Sequence, residues 1–295
     1  MAELADLKKL LCRSVDSHDP KAFLDVLNHI KYSKLRCPRT VWKHGRILTD
    51  NHIGKLGDDK WDVIEQTCLA ALDLGQTSEA EHFLRKLKLR WKNSTRVHRL
   101  DAMVLEAKGQ YQEAKLKYEE MLKANPANTL ASKRLVSICR AQGKTDEAIT
   151  RLTEHLKLFS ADNNSWLEMA SLHLSSGRVC EASFSYEEMI LADPYNYLLH
   201  SKYAELLYTI GGLTKLRASR RHFIQSVHFK KKMNARATLG AYMCATAIRN
   251  TNRSKDEDHA VNEAVHAKAS KALIGIYKEG GAPEAICTAL KNILG

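Results

Sequence analysis

The side chains best equipped for chemistry in this sequence are seven cysteines and thirteen histidines, and their spacing suits neither a metal site nor a catalytic centre. There is no Cys-x-x-Cys pair, and no His-x-x-x-His pair that would place two imidazoles on one face of a helix. Gly143-Lys144-Thr145 resembles the end of a phosphate-binding loop, but Ile138 stands where that loop requires its first glycine. We therefore expect no catalytic residue, no metal and no cofactor.

Charge is the next property that could bind something, because the formal net charge is +12 and is unevenly placed. Between Glu205 and Asp256 there is no acidic residue and there are eleven lysines and arginines. Such a run suits anionic lipid headgroups or nucleic acid, and a basic helical-repeat RNA-binding protein is the alternative function that it raises. Aromatic residues are only 7% of the chain and no base-reading pattern recurs in each repeat, which disfavours nucleic acid.

The elements that must position these side chains are revealed by a ladder of glycines. Five of them lie 34 residues apart, and 34 is the period of the tetratricopeptide (TPR) helix-turn-helix unit. Each glycine can close the first helix of a hairpin in a left-handed conformation, and a small residue five positions later lets the second helix approach closely. The glycines are Gly75, Gly109, Gly143, Gly177 and Gly211, and the small residues are Ala80, Ala114, Ala148 and Ala182.

This ladder predicts an all-α fold, a TPR α-solenoid of stacked helical hairpins with helical caps at both ends. We expect capping helices in residues 1–55, the array in 56–248, and a polar loop with closing helices in 249–295. Within the array, Ala218 replaces the small residue expected at position 216, which predicts two residues inserted in the fifth turn. The predicted units are 61–94, 95–128, 129–162, 163–196, 197–232 and an irregular sixth from 233.

Two further expectations concern membranes. The start of the chain lacks the apolar core of a signal peptide, so secretion is not expected. The longest nearly apolar stretch, Leu239 to Ile248, is far shorter than the ~20 residues that span a bilayer.

A partner-binding groove is predicted from the register of the repeats. In a stacked array of this kind, the second, fifth, ninth and twelfth positions of each first helix face the inner surface. Cations beside aliphatic and aromatic groups there suit an extended or helical peptide with some negative charge, although such residues can equally form a solvated face. The candidates are Arg96, Arg99, Met103, Lys133, Arg140, Leu167, Leu174, Tyr203 and Tyr208.

One known kind of groove is disfavoured. Lys133 occupies a position like that of the carboxylate clamp that binds chaperone tails, but Ser137 and Glu168 stand where the clamp has asparagines.

Several longer stretches resemble the subunit-2 family of the endoplasmic reticulum (ER) membrane protein complex, in matching order and spacing over about residues 50–245. They are Lys55-Leu-Gly-Asp-Asp-Lys-Trp61, Glu65-Gln66, Ala70-Ala-Leu-Asp-Leu-Gly75, Ala131-Ser-Lys-Arg134, Arg140-Ala-Gln-Gly-Lys144, Trp166-Leu-Glu-Met-Ala170, Tyr203-Ala-Glu205 and Gly211-Gly-Leu213.

The resemblance implies a non-catalytic, cytosolic scaffold subunit, peripheral to the ER membrane. Its implied partners are the membrane-embedded subunits, whose cytosolic segments it cradles, and a second soluble subunit. The implied role of that complex is to insert transmembrane proteins, including tail-anchored ones. The run from Lys215 to Lys255 is more basic than this family leads us to expect.

Overall fold

The structure is a computed structural model that describes residues 6–12, 19–251 and 257–294, and in these ranges the regular structure is entirely helical. The chain divides into two compact units, Met1–Gln142 and Gly143–Gly295. Unit 1 contains α1 (residues 6–12), α2 (Pro20–Tyr32), α3 (Pro38–Asn51), a 3₁₀ turn (Ile53–Lys55), α4 (Asp59–Asp73), α5 (Thr77–Arg90), α6 (Thr95–Ala107), α7 (Tyr111–Ala124) and α8 (Thr129–Ala141). Unit 2 contains α9 (Thr145–Leu158), α10 (Asn163–Ser175), α11 (Val179–Ala192), α12 (Tyr197–Ile210), α13 (Leu213–Phe229), α14 (Ala235–Thr251), α15 (Glu257–Glu279) and α16 (Glu284–Leu294).

The glycines of the ladder end helices in the way that their spacing predicts. All five have positive φ, between 71° and 78°. At Gly75 the glycine N–H donates to Leu72 O at 3.1 Å and the next N–H, of Gln76, donates to Ala71 O at 2.9 Å. These two bonds satisfy carbonyls that the end of α4 leaves without intrahelical partners, and they require the left-handed residue that glycine supplies without strain.

The core of each hairpin is built around the small residues of the repeat. Ala80, Ala114, Ala148 and Ala182 are all completely buried. One turn later on the same face comes a large buried side chain, such as Tyr118 after Ala114. The alternation lets paired helices approach closely while the larger group fills the space beside them.

The fifth hairpin differs from the expectation. Only two residues separate α12 from α13, whereas three separate the helices of the four earlier hairpins, so the predicted insertion in the turn is wrong. The additional residues lie at the other end of α13, which has 17 residues where the corresponding helices have 14. Leu216 takes the position of the repeat alanines, and one turn later the hydroxyl of the buried Ser219 donates to Ala204 O at 2.7 Å, which satisfies a polar group inside the core.

Helices α1 to α3 precede the array, and α15 and α16 follow it. Asp19 caps α2 through a hydrogen bond from Lys21 N at 3.2 Å, and Pro20 occupies the first turn. The segment expected to be a polar loop is helical as far as Thr251, and residues 252–256 lie outside the described ranges. None of the described helices combines the length and apolarity needed to span a bilayer.

Candidate partner-binding surface

In unit 1, two of the predicted groove cations form ion pairs inside the array. Arg96 on α6 forms ion pairs with Glu65 and, at 3.4 Å, with Asp62 of α4. Arg99 donates through Nη2 to Glu65 Oε1 at 3.3 Å. Arg96 lies 34 residues after Asp62 and Arg99 lies 34 after Glu65, so equivalent positions of successive repeats carry opposite charges and pair.

The electrostatics of this cluster follow from those contacts. A hydrogen bond from Lys31, at 2.7 Å, lowers the pKa of the Asp62 carboxyl. Partial burial opposes this shift, and the charges of Lys31 and Arg96 add to it. The charge of Glu65 raises the pKa of Arg96. Asp62 and Arg96 are therefore ionised and paired at neutral pH, and the start of this surface does not present Arg96 or Arg99 as unpaired cations to an acidic peptide.

Arg134 is a functional candidate that the sequence register missed. Its Nη1 donates to Glu106 Oε1 at 3.4 Å, and the same carboxylate accepts a bond from Tyr118 Oη at 3.3 Å. Burial, followed by the charge of Glu106, raises the pKa of Tyr118, so the phenol stays protonated as a donor. The signal in the sequence was an arginine one position beyond the expected groove position.

The remaining unit 1 candidates differ in exposure. Met103 is half-buried and packs against the apolar clusters on both of its sides, Lys133 is half-buried, and Arg140 is exposed. Beside this face lies a cleft of about 620 Å³ formed by α4, α5 and α6, lined by Trp61, Trp91 and the Arg96 ion pairs.

In unit 2, the corresponding helix face is apolar. Leu167 and Leu174 lie two turns apart on α10, and both are exposed as predicted. Tyr208 is half-buried against the cluster that contains Ala204 and Phe223. Tyr203 does not belong to the surface, because only 8% of it is exposed and its hydroxyl is bonded to Glu187 beneath the face.

Three further exposed apolar residues extend the face. Glu205 on α12 forms a two-bond ion pair with Arg236 on α14, so the exposed sides of these helices adjoin. Leu198 lies two turns before Glu205, and Leu239 and Met243 lie one and two turns after Arg236. We call Leu167, Leu174, Leu198, Leu239 and Met243 the apolar stripe.

The basic run is partly neutralised within unit 2. Arg220 is only 4% exposed, and it binds Asp258 and the side-chain amide oxygen of Asn262, both on α15, the latter at 2.7 Å. Arg217 also reaches Asp258, at 3.0 Å, and Arg249 binds Glu263. Together with the Glu205 pair of Arg236, these contacts remove four of the eleven cations from the free surface. An electrostatic nucleic-acid surface along this run finds no support in the structure.

Metal-binding groups are not assembled in the described part of the chain. No group of three or more His, Cys, Asp or Glu residues could hold a metal ion there. Burial raises the pKa of Cys68 to about 12 and that of Cys244 to about 11, so neither thiol is an ionised nucleophile at neutral pH.

Fold and surface together define a TPR α-solenoid, a class of protein whose stacked hairpins present extended binding surfaces. A crystal structure of the C-terminal part of a TPR repeat-containing protein from Cytophaga hutchinsonii shares the fold, with a TM-score of 0.57 over 81% of this chain and 93% of that one at 14% identity. Within the class, the family model described as the EMC2 TPR-like repeat domain matches residues 83–237, just over half of the chain.

Curated relatives agree with that match. ER membrane protein complex subunit 2-A of Xenopus laevis is 38% identical over 204 residues, which cover 69% of this chain and 68% of that protein. ER membrane protein complex subunit 2 of Dictyostelium discoideum is 34% identical over 190 residues, which cover 64% and 59%. The chain belongs to the ER membrane protein complex subunit 2 family, and the resemblance seen in its motifs is confirmed.

Proposed function

We propose that this protein is a non-catalytic scaffold subunit of the ER membrane protein complex, peripheral to the cytoplasmic face of the ER membrane. It binds cytosolic segments of the membrane-embedded subunits and docks a second soluble subunit. In this way it supports the insertion of transmembrane proteins, including tail-anchored ones. Family membership supplies the complex, and the apolar stripe is the observation that supports a binding role within it.

The stripe is suited to an apolar segment of a partner. Fully burying one leucine or methionine side chain contributes about 1.5–3 kcal/mol, so a few of the five partly exposed groups would supply a useful share of a peptide's binding free energy. The adjoining pair of Glu205 and Arg236 offers polar groups at the margin. We therefore propose that the occupant is an extended or helical cytosolic segment with apolar side chains at helical or alternating spacing.

Charge distribution argues for a modest role of acidic partner groups. Arg96 and Arg99 already bind Glu65, so an acidic peptide would have to displace an internal carboxylate. The candidate groove in unit 1 thus favours partner segments that are uncharged or that carry both acidic and basic side chains. Arg140, near the end of α8, is exposed.

The experiment that tests this proposal is affinity purification of the tagged protein from detergent-solubilised ER membranes. The stripe variant Leu239→Ser/Met243→Ser should recover several-fold less of the membrane-embedded subunits than the unsubstituted protein. A matched control, Leu89→Ser/Leu116→Ser, removes two exposed leucines from the second helices of unit 1 and should leave recovery unchanged.

The outcomes separate the two levels of the proposal. Recovery of the unsubstituted protein alone, without membrane subunits, would overturn the scaffold role. Equal recovery by the stripe and control variants would retain that role but remove the stripe as its binding surface.

A further inference from the structure

One edge of unit 2 combines exposed apolar side chains with a cluster of lysines. It consists of the loops that join the second helix of one hairpin to the first helix of the next, residues 159–162, 193–196 and 230–234, with the helix ends beside them. We call it the inter-repeat edge. Its exposed apolar residues are Leu158, Leu191, Tyr195 and Met233, and its lysines are Lys157, Lys230, Lys231 and Lys232.

Two of these loops are in direct contact. The Tyr195 ring packs edge-on against Phe229, with their centroids 5.5 Å apart. The Lys230 ammonium lies 4.7 Å from the centroid of the Tyr197 ring and 3.2 Å from its hydroxyl. The three consecutive lysines therefore begin beside the loop that carries Tyr195, which is 76% exposed.

The carboxylates of these loops are occupied by the ends of the following helices. Asp162 accepts a bond from Ser165 Oγ at 2.8 Å, and Asp193 accepts one from Asn196 Nδ2 at 3.0 Å. Lys231 and Lys232 are exposed and form no ion pair with any described residue. The neutral serine and asparagine donors leave both carboxylates charged, but four lysines against two aspartates give the edge an excess of positive charge.

This combination has a specific physical counterpart. Tyrosine and lysine are the residues that favour the boundary between water and lipid, where the ring reaches apolar chains and the ammonium stays among headgroups. Anionic headgroups attract clustered lysines, and exposed apolar side chains beside them add a contribution that salt does not screen. A nucleic acid would use the lysines but would leave Leu158, Leu191 and Met233 without a partner.

We infer that the inter-repeat edge of unit 2 is a membrane-contact surface that binds the headgroup region of an anionic bilayer. The inference rests on the proposed location at the ER membrane, and it assigns a lipid surface to a part of the chain distinct from the apolar stripe. Contact along this edge leaves the stripe on the first-helix face open to protein segments.

The test uses the purified full chain and protein-free vesicles of phosphatidylcholine, with and without phosphatidylserine, in a co-sedimentation assay. The protein should bind the phosphatidylserine vesicles and bind pure phosphatidylcholine far more weakly. The variant Lys231→Glu/Lys232→Glu should weaken that binding by about tenfold or more, because each lysine contributes through its attraction to the charged surface.

A control of equal charge change excludes a general effect of net charge. Lys215→Glu/Arg221→Glu reverses two exposed cations of α13 that lie outside the edge, and it should retain most of the binding. A second variant, Tyr195→Ser/Met233→Asn, keeps every lysine and should lower binding at high salt. Asparagine is chosen because Met233 has a φ of 57°, which asparagine tolerates.

Three results would overturn the inference: binding that does not depend on phosphatidylserine, equal losses in the edge and control variants, and binding of RNA without binding of vesicles. Because no other subunit is present, failure here leaves the scaffold role intact. Failure of the co-purification experiment would likewise leave vesicle binding to be judged by itself.

Discussion

Replacing Arg220 with methionine should destabilise unit 2 strongly, although the sequence places this arginine in a basic run that contains no acidic residue. The side chain is buried and joins α13 to α15 through Asp258 and Asn262. Methionine is similar in length and fills the space, so the change tests the polar contacts rather than packing.

The expected loss can be worked out from the partners that remain. Removing one member of a buried ion pair typically costs about 3–5 kcal/mol. Asp258 keeps its ion pair with Arg217 at 3.0 Å and is partly exposed, which reduces that cost. The side-chain amide oxygen of the buried Asn262 loses its donor at 2.7 Å, which adds to the cost. We expect a net loss of about 2–4 kcal/mol.

Urea unfolding followed by circular dichroism should report this loss, and hydrogen exchange should show faster opening of α15. The neighbouring Arg221 is exposed, so Arg221→Met should change stability by no more than about 0.5 kcal/mol. If the two variants unfold at the same urea concentration, the contacts of Arg220 with α15 do not stabilise unit 2, and the interpretation that this arginine is a structural residue is wrong.

Three other predictions concern stability. Gly240→Ala should cost about 1–3 kcal/mol in thermal unfolding, because the added Cβ would lie 2.4 Å from Phe223 Cζ, while Gly275→Ala, with open space around it, should be neutral or stabilising. Burial, then the charges of neighbouring groups, lowers the pKa of His222 to about 4; the folded state resists protonation, so stability should fall as pH drops below about 6.5 towards 4. Partial exposure limits this loss to about 1 kcal/mol at pH 5, and a His222→Gln variant that shows the same pH profile would contradict it. Glu65→Gln should cost about 1 kcal/mol in urea unfolding, because the charge that pairs with Arg99 is lost. A double-mutant cycle with Arg99→Met should show a stabilising coupling between the two residues, and a coupling near zero would contradict this prediction.

The turns of the array could be predicted from the sequence because their cause is local. Glycine adopts a positive φ at the end of a helix without strain, whereas most other residues are strained there. Gly75 and the four equivalent glycines therefore mark the turns of the hairpins. The face of each first helix also follows from register, which is why Leu167 and Leu174 are found exposed.

The pairing of charges could not be predicted in the same way, because it depends on which side chains meet across repeats. The register alone predicts that Arg96 and Arg99 line a groove. In the structure both form ion pairs with Glu65 of the preceding repeat, so their charges are compensated within the array. A comparison of equivalent positions one repeat apart would have revealed the opposite charges. The basic run was misjudged for a related reason, since Asp258 and Glu263 lie beyond its end in sequence and next to it in space.

The fifth hairpin shows a different limit. The spacing from Gly211 makes Ala218 the expected close-approach residue and so predicts that the surplus residues lie in the turn. In the structure α13 begins two residues after Gly211, and the buried Ser219 bonds to the Ala204 carbonyl of α12. The surplus residues therefore lie at the far end of the helix.

The greater length of α13 gives the outline of unit 2 a step. The helix begins two residues after its glycine, as α11 does, so its three additional residues carry its last turn about 4.5 Å farther along the helix axis. Lys230, Lys231 and Lys232 follow directly at that raised end. Because the electrostatic screening length is about 8 Å at physiological ionic strength, this displacement is over half of it. The lysines therefore begin three residues later in their hairpin than the loops that follow α9 and α11 begin in theirs.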